Sequence, residues 1–308
     1  MGDKSKIEWT DATWNPIRGC SRVSEGCRNC YAERQAARFG GKGQPYEGTI
    51  NYRSQVSGLT YTNRGAAGSA VGSWNGTIKV IEEHLTDPLR WKKPRRIFVN
   101  SMSDLFHENL ADETIDRIFA VMALCPQHTF QVLTKRAERM VAWFARSTTH
   151  AEVSAFCLTN FDRCMIGTRW PLPNVWLGVS VENQAAADER IPHLLRTPAA
   201  VRWLSVEPML GPVKFWCPYP GPVIDWVVCG GESGAGARPM HPDWARSLRD
   251  QCVAAGVPFF FKQWGEFAPS DMAVGVPELR VGKKRAGRTL DDMEWSEYPA
   301  VRESEARA

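Results

Sequence analysis

The sequence lacks long hydrophobic runs. No stretch of about eighteen consecutive apolar residues occurs in the 308 residues, which is the length that a membrane-spanning helix requires. The segment MGDKSKIEWTD at the start contains no apolar core of the kind that secretory signals carry. From these two absences we expect a cytoplasmic protein with no membrane partner. An apolar content of 43% predicts a globular chain with a sizeable core.

A strong excess of charge is also absent. The formal net charge is +4 and the pI is about 8.6, which permits a nucleic-acid partner without requiring one. Basic residues concentrate in Trp91 to Arg96 and in Val281 to Arg288, where they could bind phosphates, although solvated loops explain such clusters more often. The 13 tryptophans exceed the needs of a core of this size, and stacking on bases or on adenine is one use for the excess.

Cysteine is sparse, and its one cluster has no fourth metal ligand nearby. The chain has nine cysteines, an odd number that argues against a disulfide framework. Cys20, Cys27 and Cys30 lie within eleven residues, so their thiolates can converge on one centre. Structural zinc usually takes four protein ligands, and the first histidine after Cys30 is His84. Three cysteines suit a [4Fe-4S] cluster with one open iron, as in radical S-adenosylmethionine (SAM) enzymes. Structural zinc and chance clustering of buried cysteines remain alternatives.

The chain beyond Pro94 alternates between strand-length apolar runs and helix-length amphipathic segments. This alternation predicts an α/β fold in which about six to seven parallel strands form a partial, open β/α barrel. A strand is also expected before Cys20, and a helix from Tyr31 to Phe39 that Gly40 and Gly41 end. The predicted strands are 97–101, 129–134, 175–181, 201–208, 226–231 and 258–264, and the predicted helices are 112–124, 135–146, 184–196 and 242–255.

The segments without this alternation set the domain boundaries. We expect one domain over residues 1–268, with surface excursions at 40–78 and 147–173, of which the first is irregular and serves as a lid or a substrate contact. Residues 269–308 are expected to be a charged, partly disordered C-terminal tail.

Polar residues recur where the predicted strands end. Because the carboxyl ends of parallel strands meet at one edge, these side chains are expected around one barrel mouth beside the cysteines. Asp104, Lys135 and Glu207 are the candidate catalytic residues, although Asp104 could instead cap a helix. The candidate cofactor-binding residues are Tyr31, Ser103, Asp104, Ser180, Glu182, Gly230, Gly231 and Glu232.

Several ordered blocks carry a family resemblance. The blocks TWNPIRGC, CRNCYAER, NSMSDLFHE, VLTKR, GVSVEN, LSVEPMLGP, CGGESG and FFFKQWGE together resemble the phage-type Gp37/Gp68 proteins, which have a three-cysteine motif, over about residues 7–268. A weaker resemblance reaches radical SAM enzymes of the spore photoproduct lyase type, through Ser103-Asp104, Thr134-Lys135 and Ser180. Six residues separate Cys20 from Cys27 where three are customary, while the Cys27-x-x-Cys30 spacing agrees.

The resemblance implies an activity and partners. It implies a [4Fe-4S] cluster held by Cys20, Cys27 and Cys30, SAM as a second cofactor, an electron donor such as flavodoxin or ferredoxin, and a three-Cys-motif partner protein. The leading hypothesis is a radical SAM-type enzyme, a lyase or a nucleic-acid-modifying enzyme, with DNA, RNA or a nucleotide as substrate. One alternative is a zinc- or cluster-binding protein without catalysis, for example a nucleic-acid-binding or regulatory module. Another is a metal-independent barrel enzyme that relies on Glu207 and Glu232.

A polynucleotide substrate would need cations and flat surfaces beside the barrel mouth. The cations expected to contact phosphates are Arg34, Lys92, Lys93, Arg95, Arg96 and Lys135. The aromatic residues that could stack on bases, or pack in the core instead, are Trp14, Tyr31, Phe106 and Trp264.

Overall fold

The computed structural model describes residues 5–55, 57–61, 70–163, 169–215, 223–269 and 279–300. The strands in these ranges, numbered in chain order, are β1 (Ala12–Trp14), β2 (Ile17–Arg18), β3 (Ile50–Ser54), β4 (Thr60–Tyr61), β5 (Ala70–Trp74), β6 (Lys79–Val80), β7 (Arg96–Val99), β8 (Thr129–Thr134), β9 (Val175–Ser180), β10 (Val201–Val206), β11 (Trp226–Gly230) and β12 (Phe259–Gln263). The α-helices are α1 (Tyr31–Arg38), α2 (Glu82–Leu85), α3 (Asp112–Ala123), α4 (Ala137–Ala145), α5 (Thr149–Phe161), α6 (Gln184–Arg196), α7 (Pro242–Ala255) and α8 (Lys283–Ala286).

The central feature is a parallel sheet of seven strands in the order β1-β7-β8-β9-β10-β11-β12. The sheet curls into a half-barrel with helices on its outside, so the predicted partial, open β/α barrel is confirmed. Each strand from β7 to β11 is followed along the chain by the next strand of the sheet, which is the sequential order that repeated βα steps produce. No helix in the described ranges is long and apolar enough to cross a membrane.

Both surface excursions contain regular structure. Within 40–78, β3 pairs with β4 and with β5 in an antiparallel sheet, so the prediction of an irregular segment is wrong where the structure describes it. This small sheet packs on α1, and at Gly72 any side chain would lie 2.4 Å from the Ala37 methyl group. Within 147–173, helix α5 buries Val153 and Cys157 in the main core.

The described part of the expected C-terminal tail, residues 279–300, folds back against the sheet. Leu290 is fully buried, the Trp295 ring lies 6.0 Å from that of Phe259, and the Tyr298 ring stacks on Trp226 at 5.4 Å. The segment therefore packs against the sheet, which its charged composition does not indicate. The disorder expected for the last residues concerns 301–308, which lie outside the described residues.

The two faces of the sheet carry different cores because successive strand residues point to opposite sides. Outward residues such as Ile97, Val99, Val132 and Leu177 pack against the helices. Inward residues form a second cluster on the concave face, and the segment before β1 adds Trp9 to it. That cluster consists of Trp9, Phe98, Trp176, Val201, Trp203, Trp226, Val228 and Phe260. Four of the 13 tryptophans therefore fill the barrel interior.

The inward positions become small or polar at the carboxyl ends of the strands. Two residues beyond Phe98 the chain has Asn100, and two residues beyond Trp203 it has Ser205. Gly178 makes the tryptophan layer possible, because a Cβ atom there would lie 2.4 Å from the Trp203 ring. Large aromatic side chains thus close the lower part of the half-barrel, and the smaller residues above them leave a cavity.

Candidate functional site

The cavity has a volume of about 250 Å³ and lies at the carboxyl edge of the sheet. Most of the site residues predicted from the sequence line it, namely Cys20, Cys27, Cys30, Tyr31, Ser103, Asp104, Lys135, Ser180, Glu207, Gly231 and Glu232. Glu182 and Gly230 are close to the site without lining the cavity: Glu182 lies under the cysteine loop, and Gly230 lies between Glu207 and Lys262. The fold therefore gathers the predicted side chains around one opening.

The cysteine loop is held over the cavity by close backbone contacts. Gly19, just before Cys20, has a φ of +98°, and a Cβ atom there would lie 2.0 Å from the Thr77 carbonyl oxygen. The Ser103 hydroxyl donates to the Gly19 carbonyl at 2.6 Å, which ties the loop to the end of β7. Only glycine fits this combination of left-handed backbone and tight packing.

The three thiols differ in their surroundings. Burial, together with the nearby Asp104 carboxylate, raises the pKa of Cys20 to about 12, although Arg136 opposes the shift. Burial also raises the pKa of Cys30, while the backbone amides of Ala32 and Glu33 donate toward its sulfur and oppose that increase. These amides belong to the first turn of α1, where N–H groups have no partner inside the helix and favour negative charge.

This donor set fits an iron–sulfur cluster chemically. Three cysteines supply the soft thiolate ligands that such clusters take, and all three line the same cavity as free cysteines. In the described part of the chain, no group of three or more His, Cys, Asp and Glu side chains stands in metal-binding geometry. All three cysteines nevertheless line the same opening.

A buried charge network supports the cysteine loop from below. Glu182 is 1% exposed, and its carboxylate contacts Lys135 Nζ at 2.5 Å and Arg190 Nη1 at 3.0 Å. Burial alone would raise the pKa of Glu182, but the charges of Lys135 and Arg190 outweigh it and lower that pKa. The Ser24 hydroxyl donates to Glu182 at 2.8 Å. Glu182 thus joins the cysteine loop to the sheet, and the charge of Lys135 is already compensated.

Gly26 lets the loop rest on this network. A Cβ atom at Gly26 would lie 2.3 Å from Glu182 Cγ and from Glu182 Oε1. Any other residue at this position would push apart the cysteine loop and the carboxylate beneath it. The next residue after Glu182, Asn183, accepts from the Ala186 amide and caps α6, as its position before a helix suggests.

Asp104 is a buried carboxylate that connects neighbouring parts of the structure through hydrogen bonds. Its Oδ1 atom accepts from the Phe106 amide at 2.9 Å and the Thr134 hydroxyl at 2.7 Å. Its Oδ2 atom accepts from the Lys135 amide at 3.1 Å and from Arg136 Nη1 at 3.1 Å. Four donors occupy the carboxylate, which links the ends of β7 and β8. Its predicted contact with a cofactor stays a prediction.

Arg136 is a site residue that the sequence analysis missed. Its Nη1 atom lies 4.0 Å from the Cys20 sulfur, and its guanidinium also contacts Ser21, Asp104 and Glu108. Arg136 therefore brings a positive charge to the cysteine loop. Nothing in the sequence distinguishes Arg136, because it follows the Thr134-Lys135 pair at the start of the predicted helix 135–146.

Glu232 also links two loops. It accepts from Asn29 Nδ2 at 2.9 Å in the cysteine loop and from the Arg238 guanidinium, with Arg238 Nη2 at 2.7 Å. Arg34, one of the predicted phosphate contacts, donates to the carbonyls of Asn29, Ser233 and Ala235. The loop after β11 is thereby fastened to the start of α1, which closes one side of the cavity.

Glu207 and Lys262 form an ion pair on the cavity wall. Lys262 Nζ lies 2.6 Å from Glu207 Oε1, and both side chains keep part of their surface exposed. Gly230 fits between them, because a Cβ atom there would lie 3.4 Å from Lys262 Cβ. At Gly231 a Cβ atom would meet the Trp264 carbonyl oxygen at 2.0 Å, so this glycine lets the ends of β11 and β12 approach. The pair thus brings a carboxylate and an ammonium group to the cavity wall.

Asn100 is the second missed residue. It follows β7 with a φ of +61°, lines the cavity and is 2% exposed. Neither its side-chain oxygen nor its side-chain nitrogen has a hydrogen-bond partner among the described residues. Period-two alternation along β7 could have indicated it, because Phe98 and Asn100 must face the same side.

The predicted phosphate contacts before β7 are at the wrong end of the sheet. Arg96 begins β7 and Asn100 follows it, so Lys92 to Arg96 lie at the amino edge, opposite the cavity. Arg96 pairs with Asp11 and covers the Tyr298 ring at 4.1 Å. Three of the four residues predicted to stack on bases are also inaccessible: Trp14 and Phe106 are fully buried, and Trp264 is almost fully buried. The fourth, Tyr31, is half-exposed on the cavity wall.

Comparison with known proteins places the chain in a family. No curated protein and no solved structure matches it. A family model matches residues 4–299, which include the cysteine loop, the seven strands of the half-barrel and every residue of the cavity wall. The chain therefore belongs to the family described as proteins of unknown function (DUF5131).

Proposed function

We propose that this protein is a radical SAM-type iron–sulfur enzyme that acts on a nucleic acid or a nucleotide. One observation carries the proposal: three cysteines line a single cavity at the carboxyl edge of a parallel half-barrel, together with the polar side chains that follow its strands. Cys20, Cys27 and Cys30 would hold the cluster. When bound, the cluster and SAM would supply reductive cleavage of a sulfonium and a strong hydrogen-abstracting radical.

The chain's own residues would position and shield the reactants. Glu207 and Lys262 offer opposite charges on the cavity wall, which suits a ligand that bears both an amino and a carboxylate group. The tryptophan layer closes the inner end of the cavity and excludes water from below. Asp104, Glu182 and Glu232 act as positioning residues, because each joins the cysteine loop or a neighbouring strand end to another element.

Anaerobic reconstitution tests the proposal. Wild-type protein treated with ferrous iron and sulfide should take up both, develop thiolate-to-iron charge-transfer absorption and, with a reductant, convert SAM to 5′-deoxyadenosine. The variants Cys20→Ser, Cys27→Ser and Cys30→Ser should each lose the absorption. The matched control Cys125→Ser should retain it, since Cys125 is buried in the main core.

The alternatives predict different results. A preparation that stays colourless and binds zinc alone would support a non-catalytic zinc protein. A cluster that forms without SAM cleavage would support a non-catalytic cluster protein. Absence of any metal uptake would leave a metal-independent barrel enzyme, in which Glu207 and Glu232 carry the activity.

The nucleic-acid substrate has its own test at the cysteine loop. Arg28 is two-thirds exposed there, and its guanidinium lies 3.9 Å from the exposed Glu25 carboxylate. We expect Arg28→Ala to weaken binding of a fluorescent single-stranded DNA or RNA oligonucleotide and to lower the salt slope by about one. Lys93→Ala, which removes an equal charge from the opposite edge, is the control. Equal losses in both variants would contradict an interface at the cavity.

A further inference from the structure

Asn100 is a buried carboxamide whose hydrogen-bonding capacity is unused. Its backbone is fixed, because its amide donates to the Trp14 carbonyl at 2.8 Å and its φ is +61°. Asparagine tolerates that left-handed conformation better than most residues. Its side-chain oxygen and nitrogen are both buried and without a partner in the described ranges. Since unpaired buried polar groups are costly, such a pair on a cavity wall indicates a ligand that supplies the partners.

The surroundings of Asn100 define the shape of that ligand. Trp9, Phe98 and Leu133 form an apolar wall of the same cavity, and the Trp9 and Phe98 rings pack edge to face at 4.8 Å. The Trp9 indole nitrogen is also buried without a partner, so it offers a further donor. A flat, mostly apolar ring with hydrogen-bonding groups along its edge matches this combination.

We propose that Asn100 recognises a nucleobase by pairing its carboxamide with a donor and an acceptor on the edge of the base. An asparagine carboxamide offers an acceptor and a donor side by side, and this arrangement pairs bidentately with the amino group and ring nitrogen of adenine. The base would lie against Trp9 and Phe98, as a flipped or single-stranded base lies in an apolar pocket. This inference deepens the proposed function, because it names the group that enters the same cavity.

Two sources could supply such a base, namely the adenine of SAM and a base of the substrate. Titration calorimetry on the cluster-free protein separates them. The probes are S-adenosylhomocysteine, adenosine, cytidine, thymidine and guanosine, with purine riboside as the matched adenosine analogue that lacks the 6-amino group. The variant Asn100→Gly removes the carboxamide and retains the left-handed backbone, and Asn100→Asp replaces the donor by an acceptor.

We expect wild-type protein to bind at least one of these probes, and both variants to bind it about tenfold or more weakly. Selective loss of S-adenosylhomocysteine and adenosine would assign the site to the cofactor, whereas selective loss of another nucleoside would assign it to the substrate. If adenosine binds, purine riboside should bind more weakly to wild-type protein, and Asn100→Gly should weaken purine riboside less than it weakens adenosine, because purine riboside keeps the ring nitrogen and lacks only the amino group. Without ligand, the melting temperature of Asn100→Gly should be no lower than that of wild type, because the substitution removes polar groups that have no hydrogen-bond partner in the described part of the chain.

Two results would overturn the inference: no probe binds at millimolar concentration, or Asn100→Gly remains folded and binds every probe as wild type does. Neither measurement requires a cluster or SAM cleavage. Base binding that depends on Asn100, in a protein that forms no cluster, would therefore support this inference and refute the proposed chemistry. Cluster formation and SAM cleavage without such base binding would support the proposed chemistry and refute this inference.

Discussion

Replacing Glu182 by glutamine should destabilise the protein strongly. Glu182 is 1% exposed and faces two cations, Lys135 at 2.5 Å and Arg190, itself 2% exposed, at 3.0 Å. Glutamine has nearly the same shape but no charge, so the variant deprives Lys135 and Arg190 of their buried counter-charge. It also turns an amide N–H₂ group toward them or toward the Ser24 hydroxyl, which donates to Glu182 in the native protein.

The expected loss is about 3 to 5 kcal/mol of unfolding free energy, because breaking a buried ion pair leaves the remaining charge uncompensated. The chain offers a close control in Glu189. Its carboxylate lies 4.0 Å from Arg190 Nε on the same helix, but its side chain is 68% exposed. Glu189→Gln should therefore cost no more than about 1 kcal/mol. The two variants remove the same charge beside the same arginine and differ in burial.

Urea unfolding followed by tryptophan fluorescence measures both losses. The urea concentration at the unfolding midpoint should fall for Glu182→Gln. The slope of unfolding free energy against urea concentration should stay unchanged, since that slope reports the surface exposed on unfolding. Adding Lys135→Met to Glu182→Gln should recover part of the loss, because it removes one unpaired cation. A Glu182→Gln loss below about 1 kcal/mol, or equal to that of Glu189→Gln, would refute the view that this carboxylate anchors the site.

Three further predictions concern the loop, the interior and a buried histidine. Gly26→Ala should lower iron uptake on reconstitution, because the added methyl group would lie 2.3 Å from Glu182, while its circular dichroism spectrum should remain that of wild type. The control Gly41→Ala, where the nearest atom would be 3.6 Å away, should take up iron normally. Gly178→Ala should cost about 1 to 3 kcal/mol in urea unfolding, because its Cβ atom would lie 2.4 Å from the Trp203 ring, and a neutral result would show that the tryptophan layer can shift. Burial lowers the pKa of His128, so its contribution to stability is present above an unfolded pKa of about 6.5 and is lost as pH falls below it. Thermal unfolding at pH 7 and pH 5 should show a smaller acid-induced loss for His128→Leu than for wild type, and equal losses would exclude His128 as a source of acid sensitivity.

The sequence by itself was sufficient for the architecture. Apolar runs of strand length alternate with amphipathic segments after Pro94, and the structure shows the expected parallel half-barrel. This succeeded because side-chain periodicity is local and because repeated βα steps leave few topologies available. The same reasoning placed Ser103, Ser180 and Glu207 at one cavity with the cysteines, since all parallel strands end at one edge.

The tertiary structure alone decided which polar groups are available to a ligand. Asp104 and Glu232 look like free carboxylates in the sequence, yet both are occupied. Arg136 binds Asp104, and the distant Asn29 binds Glu232 together with the nearby Arg238. Asn100 is inconspicuous in the sequence, yet its carboxamide is buried without a partner on the cavity wall.

The position of the basic segment Lys92 to Arg96 follows from the order of the predicted strands. Its composition suggests a phosphate contact, but it precedes β7 and therefore lies at the edge opposite the cavity. The packing of the described tail residues 279–300 was beyond the sequence, because it depends on Phe259 and Trp226, which lie far earlier in the chain. Local pattern determines which segments become strands and helices, and only long-range packing determines which side chains meet, because a hydrogen bond or ion pair between distant residues leaves no periodic trace in the sequence.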